Sequence, residues 1–166
     1  MMENSLKILK FPDPRLRTVA QPVKKFDKSL KKLADDMLDI MYEENGIGLA
    51  ATQVNHHIRL IVIDISEERN EPRYYVNPAF EILNEDSYLS FEEGCLSVPG
   101  FNEEITRPDN IILKWQDIDG KEHVDKPSGL LTVCIQHEID HLDGKLMVDY
   151  ISPIKRDRIK KKLLKK

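Results

Sequence analysis

Apolar residues recur with helical spacing in two stretches of the sequence. Over residues 27–44 they fall at intervals of three and four, the pattern of an amphipathic helix with one face in the core. Residues 129–144 begin with a mainly apolar run at residues 130–134 and end with Asp143-Gly144, a typical helix end. The pattern therefore predicts an amphipathic helix in the N-terminal third of the chain and a second helix near its C-terminal end.

Strand patterns fill the sequence between these two helices. The apolar run at residues 59–64 predicts a buried strand, and shorter apolar segments alternate with turn-forming residues after it. Asp119-Gly120 is a typical hairpin turn between residues 111–118 and 121–125. The chain is expected to have an α+β fold with a mostly antiparallel sheet. The short predicted strands are residues 73–76, 80–83, 87–91 and 111–115.

The composition is that of one globular unit with an unusual C-terminal end. At 166 residues and 40% hydrophobic content, the chain is long enough to bury its own core. Residues 155–166 hold eight Lys or Arg and one Asp, a charge of +7 in a chain of net charge −4, which leaves −11 on residues 1–154. We expect a single domain over residues 1–154. The basic tail is either a solvated face or a contact for RNA or another polyanion.

The sequence carries no sign of export or membrane insertion. No apolar run approaches about 18 residues, and the N-terminal residues lack the apolar block of a secretory signal. We expect a cytoplasmic protein without a membrane partner. In that reducing compartment the two cysteines, Cys95 and Cys134, are expected to remain free thiols.

The second predicted helix contains the order His-Glu-x-x-His at His137, Glu138 and His141. Residues four apart lie on one face of a helix, so both imidazoles can reach one cation. Glu138 lies about 100° round the helix from His137, where its carboxylate can address a water molecule on that cation. This pattern indicates a metal-dependent hydrolase.

A third metal ligand does not follow these histidines in the usual place. Met147 stands where the metzincin pattern has its third histidine, and no Glu or His follows His141. Cys134 lies on the same helix, about 10.5 Å from His141 between Cα atoms, a gap that metal bonds would barely span. Cys95 lies in a loop-like run, residues 92–100, that is free to fold onto the helix. We therefore expect Cys95 to be the third ligand.

A glycine-rich stretch at residues 46–53 reads as G-x-G-x-x-A, with Asp64 further on, and so resembles a dinucleotide-binding fingerprint. The context does not fit that fingerprint, because a helical pattern precedes it and about ten residues separate Gly48 from the next strand. The glycines instead indicate a backbone that closely approaches another group.

Three stretches together resemble the bacterial peptide deformylases. They are Gly46-Ile-Gly-Leu-Ala-Ala-Thr-Gln53, Glu93-Gly-Cys-Leu-Ser97 and Gln136-His-Glu-Ile-Asp-His141. The resemblance covers most of the chain. It implies an α+β fold with mixed and antiparallel sheets around a central metal-binding helix, preceded by the amphipathic helix and followed by a basic C-terminal helix. Residues 1–154 would then form the catalytic domain.

The resemblance also implies a reaction and a set of roles. The reaction is hydrolysis of the N-formyl group from the N-terminal formyl-Met of new polypeptides. Cys95, His137 and His141 would bind one divalent ion, Fe²⁺ in the cell, with Zn²⁺, Ni²⁺ or Co²⁺ as substitutes. Glu138 would act as general base and acid. The oxyanion would be met by Gln53 and by the backbone N–H of Leu96.

Substrate recognition is implied in the same way. The backbone at Ile47, Gly48 and Gly94 would pair with the extended peptide, a mode that is indifferent to distal sequence. The methionine side chain would enter an apolar pocket lined by Leu130, Val133 and Cys134. One departure is Asn102, which stands where some members have an arginine that helps to hold the peptide. The basic tail, shorter than in members whose terminal helix reaches the ribosome, is a candidate ribosome contact, and no DNA partner is expected.

Two other functions remain open on the residues alone. A zinc peptidase would use the same helix but would cut internal peptide bonds and need a His or Glu as third ligand. A metal-stabilised binding module would have no use for Glu138.

Overall fold

The computed structural model describes residues 5–165, so the first four residues and Lys166 lie outside the description. Within this range the chain has three α-helices and two antiparallel sheets. The helices are α1 (Lys28–Glu43), α2 (Gly129–Leu142) and α3 (Pro153–Leu164). The strands are β1 (Gly48–Ala50), β2 (Leu60–Ile63), β3 (Arg73–Ile82), β4 (Tyr88–Cys95), β5 (Val98–Pro108), β6 (Ile111–Gln116) and β7 (Glu122–Asp125). No helix in the described range is long and apolar enough to cross a bilayer.

Strand β2 is an interior strand of the larger sheet, whose order is β1-β2-β3-β6-β7. All four of its side chains are buried. Successive side chains of a strand point to opposite faces. Accordingly Leu60 and Val62 pack in the cluster that contains α1, whereas Ile61 and Ile63 pack with α2. The unbroken apolar run in the sequence is therefore that of a strand covered by a helix on each face.

Helix α1 begins at Asp27, whose carboxylate accepts a hydrogen bond from the Leu30 N–H at 3.1 Å. An oxygen acceptor at this position satisfies one of the otherwise free N–H groups of the first turn. The buried side chains of α1 follow the helical period and pack on β2. They are Leu30, Ala34, Met37, Leu38, Ile40 and Met41.

The smaller sheet consists of the hairpin β4–β5. Its register pairs Glu93 with Glu103 and Gly94 with Asn102, and an irregularity between Gly94 and Cys95 brings Cys95 opposite Val98. The prediction of a loop over residues 92–100 was therefore wrong. This segment is the closed end of a hairpin, and its turn at Leu96-Ser97 is held by strand pairing on both sides.

The N-terminal segment and α3 share a third buried cluster. Leu9, Phe11 and Leu16 share a buried cluster with Met147 and with Ile159 of α3. Helix α3 is capped by Ser152, whose side chain accepts from the Lys155 N–H. The α+β architecture agrees with the sequence prediction. All strand pairs are antiparallel, and a parallel bridge joins Gln21 and Ile58.

Candidate metal centre and active site

Three donor atoms from two elements converge on one point. Cys95 closes β4, and His137 and His141 lie one turn apart on α2. The Cys95 Sγ lies 3.3 Å from His141 Nε2, which is also 3.3 Å from His137 Nε2, and all three atoms lie within 4.8 Å of one another. Tetrahedral bonds of about 2.0–2.3 Å would place such donors roughly 3.3–3.6 Å apart. The three residues therefore fit a single divalent ion.

The two imidazoles differ in their protonation. Burial lowers the pKa of His137, but the charge of Glu138 and the contacts with Cys95 and Glu93 outweigh it and raise the pKa well above its ordinary value. His137 Nδ1 lies 2.9 Å from Glu93 Oε1, which keeps a proton on Nδ1, so Nε2 is the nitrogen that loses its proton when an ion binds. Burial, and then the neighbouring charge of His137, hold the pKa of His141 well below its ordinary value. His141 is therefore neutral and can offer a lone pair to a cation.

A buried ionic network lies behind His137. Arg107 of β5 forms a two-bond pair with Glu93, at 2.6 and 2.8 Å, and donates to Asp140 Oδ2 at 2.9 Å. Tyr150 also donates to Asp140 Oδ2, at 2.6 Å, and its ring lies against the Arg107 guanidinium. Burial works to raise the pKa of Glu93, but the hydrogen bonds from Arg107 and His137 outweigh it and lower the pKa. Glu93 is therefore an anion that fixes the orientation of the His137 ring.

Glu138 faces the opposite side of the cluster, toward β1. Burial raises the pKa of Glu138 to about 7, although the charge of His137 opposes the rise. Its Oε1 atom is buried and has no hydrogen-bond partner among the described residues. A Cβ atom at Gly48 would lie 2.6 Å from Glu138 Oε2, so any larger residue would displace the carboxylate. Glu138 thus has a free oxygen and a pKa suited to proton transfer near neutral pH.

Gln53 presents its side-chain amide to the same point. Its Oε1 atom accepts from the Ala50 N–H at 2.9 Å, so the amide nitrogen must face the other way. Nε2 donates to Ser97 Oγ at 3.0 Å and lies 3.6 Å from Cys95 Sγ. Leu96, next to the cysteine, lines the same cleft. The Gln53 amide therefore borders the metal centre, and Leu96 follows the candidate ligand Cys95 in the same cleft.

The metal centre opens into a cleft of about 290 Å³ between the edges of β1 and β4. Leu130, Val133 and Cys134 form part of its apolar lining, together with the backbone of residues 46–48. The thiol of Cys134 is buried, and burial, followed by the charges of Glu138 and Glu93, raises its pKa to about 12. Cys134 does not belong to the metal-ligand group.

At the β1 edge of the cleft, some backbone groups are already bonded and others point into the cleft. The Ile47 carbonyl accepts from the Asp64 N–H at 2.8 Å, and the Ala50 N–H points to Gln53. Because backbone groups alternate in direction along an antiparallel strand, those of Gly48 point away from β2 and into the cleft. On the facing edge, Gly94 lies opposite Asn102, whose Oδ1 would be 2.5 Å from a Cβ atom at Gly94.

Sequence reasoning named the three residues of the candidate metal centre but assigned no role to the residues behind them. Arg107, Asp140 and Tyr150 make the ionic network, and each reaches it from a different element. Glu93 and Asp140 each left a signal, since Glu93 lies two residues before Cys95 and Asp140 lies directly before His141 in motifs already singled out. Arg107 and Tyr150 depend on tertiary packing and carry no local pattern.

Comparison with known proteins agrees with this geometry. A family model described as polypeptide deformylase matches residues 5–157. The peptide deformylase of Saccharophagus degradans is 59% identical to the chain, over 96% of the chain and 92% of the relative. The peptide deformylase of Pseudomonas aeruginosa is 58% identical, over 96% of the chain and 95% of the relative. The crystal structure of a peptide deformylase from Legionella pneumophila superposes with a TM-score of 0.88 at 48% identity, covering 96% of this chain and 94% of that one. The chain belongs to the polypeptide deformylase family.

Proposed function

We propose a division of roles among these residues in the reaction of the family, the removal of the N-formyl group from N-formyl-methionyl peptides with release of formate. The observation that carries the proposal is the convergence of Cys95, His137 and His141 beside the unpartnered carboxylate oxygen of Glu138. Family membership favours this reaction over the zinc peptidase and the non-catalytic binding module that the helix motif alone left open. The mature product of the reaction is a peptide with a free α-amine.

The family is metal-dependent, and Cys95, His137 and His141 would hold the ion. We expect Fe²⁺ in the cell, because a thiolate with two imidazoles suits this range of metals, with Zn²⁺, Ni²⁺ or Co²⁺ as substitutes. When bound there, a divalent ion lowers the pKa of a water molecule and polarises the formyl oxygen. Helix α2 is in this proposal the central metal-binding helix, with the amphipathic α1 before it and the basic α3 after it.

Glu138 would move the proton. With a pKa of about 7, its carboxylate can take a proton from the attacking water and then deliver it to the leaving amine. The Gln53 amide and the backbone N–H of Leu96 would meet the negative charge that develops on the formyl oxygen; Gln53 Nε2 lies 3.6 Å from Cys95 Sγ, and Leu96 is the next residue after Cys95. Gln53 suits this role because its Oε1 atom is already fixed by the Ala50 N–H.

The peptide would bind as an added strand between β1 and β4. Gly48 would offer backbone groups from one edge and Gly94 from the other, as predicted, whereas the Ile47 carbonyl already accepts from the Asp64 N–H, so Ile47 would contribute its 38%-exposed side chain at the mouth. Leu130, Val133 and Cys134 would receive the methionine side chain. The neutral Asn102 cannot supply the ionic contact that an arginine would make, so the peptide is held chiefly through its backbone.

The proposal also covers the cellular location of the enzyme and its macromolecular partners. We propose a cytoplasmic enzyme that meets nascent chains, with residues 1–154 as catalytic domain and the basic residues 155–166 as a ribosome contact, without a DNA partner. The +7 charge of the tail supports a contact with RNA. Removal of residues 160–166 should spare turnover of a small peptide and weaken salt-sensitive ribosome association. Unchanged association would leave the tail as a solvated face.

The test of the catalytic proposal is formate release by anaerobically purified, Fe²⁺-loaded protein. Formyl-Met-Ala-Ser should be deformylated, whereas acetyl-Met-Ala-Ser and longer peptides without a formyl group should remain intact. Glu138→Gln, which keeps the size of the side chain, should bind metal normally but lose activity by about 100-fold or more. Cleavage of internal peptide bonds, or wild-type turnover by Glu138→Gln, would refute the proposal.

A further inference from the structure

The segment Leu9-Lys10-Phe11 contacts both residues assigned to the oxyanion. The Leu9 N–H donates to the Gln53 carbonyl at 2.7 Å, and the Phe11 N–H donates to the Ser97 carbonyl at 2.8 Å. Between them, the Lys10 ammonium donates to the Leu96 carbonyl at 2.9 Å. Three consecutive residues therefore hold Gln53 and the Leu96-Ser97 turn against each other.

These contacts matter because the two donors come from elements that are not paired in either sheet. Gln53 lies in a short 3₁₀ helix after β1, and Leu96 lies in the hairpin turn between β4 and β5. A direct tie between them is the bond from Gln53 Nε2 to Ser97 Oγ, which uses one hydrogen of the amide that must serve the substrate. The N-terminal segment supplies a tie that leaves the working hydrogens free.

The same segment continues to the end of the metal helix. The Ala20 N–H donates to the Leu142 carbonyl at 2.8 Å, and Arg17 donates to the Gly144 carbonyl at 3.2 Å. Gly144 leaves room for this approach, since a Cβ atom there would lie 2.5 Å from the Arg17 carbonyl oxygen. Residues 9–20 thus bridge all three stretches that carry the site.

Among the three residues Leu9, Lys10 and Phe11, Lys10 makes its contact through a side chain. Leu9 and Phe11 use backbone N–H groups, which any residue except proline has, and their side chains are buried in the core. Lys10 is exposed, yet its ammonium reaches across to a backbone carbonyl 86 residues away in sequence. On the other side of Leu96, Cys95 would be fixed by the metal, so the Lys10 contact completes the restraint of the Leu96 peptide groups.

We propose that Lys10 is a positioning residue for the oxyanion site, and that it acts by holding the Leu96 backbone in the orientation that aims its N–H at the formyl oxygen. This inference rests on the proposed role of Leu96. Lys10 itself touches neither substrate nor metal. Donors placed in advance stabilise charge that appears only in the transition state, so their misplacement lowers kcat more than it raises KM.

The test compares Lys10→Met with wild type in formate release from formyl-Met-Ala-Ser. The change keeps most of the apolar stem and removes the ammonium, so kcat should fall about three- to tenfold with KM changed less than about twofold. Lys10→Arg, which retains a charged donor, should recover most of the loss. The control is Lys7→Met, an exposed lysine on the same segment, which should behave as wild type.

A second readout does not depend on turnover. In the zinc-loaded protein the NMR order parameter of the Leu96 amide should fall in Lys10→Met from the range of rigid backbone, about 0.85, while that of Lys7→Met stays unchanged. An unchanged kcat and an unchanged Leu96 order parameter would overturn the inference, as would a rise in KM alone. Absence of formate release by the wild type would instead refute the proposed function, so the two failures can be told apart.

Discussion

The two sheets of this protein bury different kinds of side chains. In the five-stranded sheet, β2 buries four apolar residues between helices α1 and α2. In the two-stranded sheet, the hairpin buries the ion pair of Glu93 and Arg107 at 5% and 3% exposure and ends in Cys95. The larger sheet therefore gains its stability from apolar burial, whereas the hairpin adds a buried ion pair beside Cys95 and His137 of the candidate metal centre.

Buried charge is costly unless it is paired, and the hairpin meets that condition through three elements at once. Arg107 pairs with Glu93 within the hairpin and with Asp140 on α2. Replacing one member leaves the others charged and unpaired in a place that water does not reach. The hairpin thus holds α2 by a few strong, directional contacts, whereas the larger sheet holds it by many weak ones.

The largest expected effect comes from Arg107→Met, which keeps the bulk of the side chain and removes its charge. We expect a loss of about 3–5 kcal/mol in the free energy of unfolding, because the carboxylates of Glu93 and Asp140 are left without their partner. Affinity for Zn²⁺ should also fall, about 10- to 100-fold, since Glu93 orients His137. Urea denaturation of the metal-free protein and competitive zinc titration measure the two effects.

The paired variant Arg107→Met with Glu93→Gln sharpens this prediction. Removing a second charge should recover part of the stability, whereas zinc affinity should stay low. A stability loss below about 1 kcal/mol in the single variant would show that the network contributes little to the fold.

Leu60→Ala probes the apolar side of the comparison. Leu60 is fully buried and packs in the cluster that contains α1. We expect a loss of about 2–4 kcal/mol in the free energy of unfolding. The folded enzyme should retain its kcat to within about twofold, because helix α2, which carries the two histidines, packs on the opposite face of β2. A large fall in kcat with normal metal content would contradict the separation of the two regions.

Asp64 gives a smaller effect that depends on pH. It is buried at the end of β2; burial opposes ionisation, but hydrogen bonds from Ser66, Tyr42 and the Glu71 N–H lower its pKa to about 2. A carboxyl with a lowered pKa contributes stability above its unfolded pKa of 3.8, and loses it as pH falls through about 2. We expect about 1–2 kcal/mol of acid-dependent stability from this group.

Asp64→Asn is the variant that isolates this contribution. Between pH 4 and pH 2.5, metal-free wild type should lose more stability than Asp64→Asn in urea denaturation, because the other carboxyl groups titrate equally in both proteins. Parallel pH profiles would show that Asp64 does not gain from ionisation in the folded state.

The elements of the fold also differ in how well the sequence predicts them. Helix α1 and strand β2 have apolar faces that the residue pattern reveals directly, and the Asp119-Gly120 hairpin is confirmed, with Gly120 at φ +89°. Strand β3 was predicted as two pieces, residues 73–76 and 80–83, and the structure joins them in one strand whose register shifts between Val76 and Ala79. Strand β5 was missed, since one of its three buried positions holds Arg107 and its exposed positions include Gly100 and Asn102.

The candidate site divides in the same way. The spacing of His137, Glu138 and His141 on one helix indicates a metal site. Because no usual ligand follows His141, the sequence predicts Cys95 as the third ligand. Nothing local links Arg107 to Asp140, or Lys10 to Leu96, because each pair is joined only when separate elements pack. Positioning residues are thus the part of the site that required the structure.

Metal content is the most direct test of the central claim that Cys95, and not Cys134, completes the metal site. Wild type, Cys95→Ser and Cys134→Ser would be purified anaerobically, loaded with Fe²⁺, dialysed and measured by elemental analysis. We predict one ion per chain in wild type and in Cys134→Ser, and a large loss or changed metal selectivity in Cys95→Ser. Full metal content in Cys95→Ser together with a loss in Cys134→Ser would contradict the assignment.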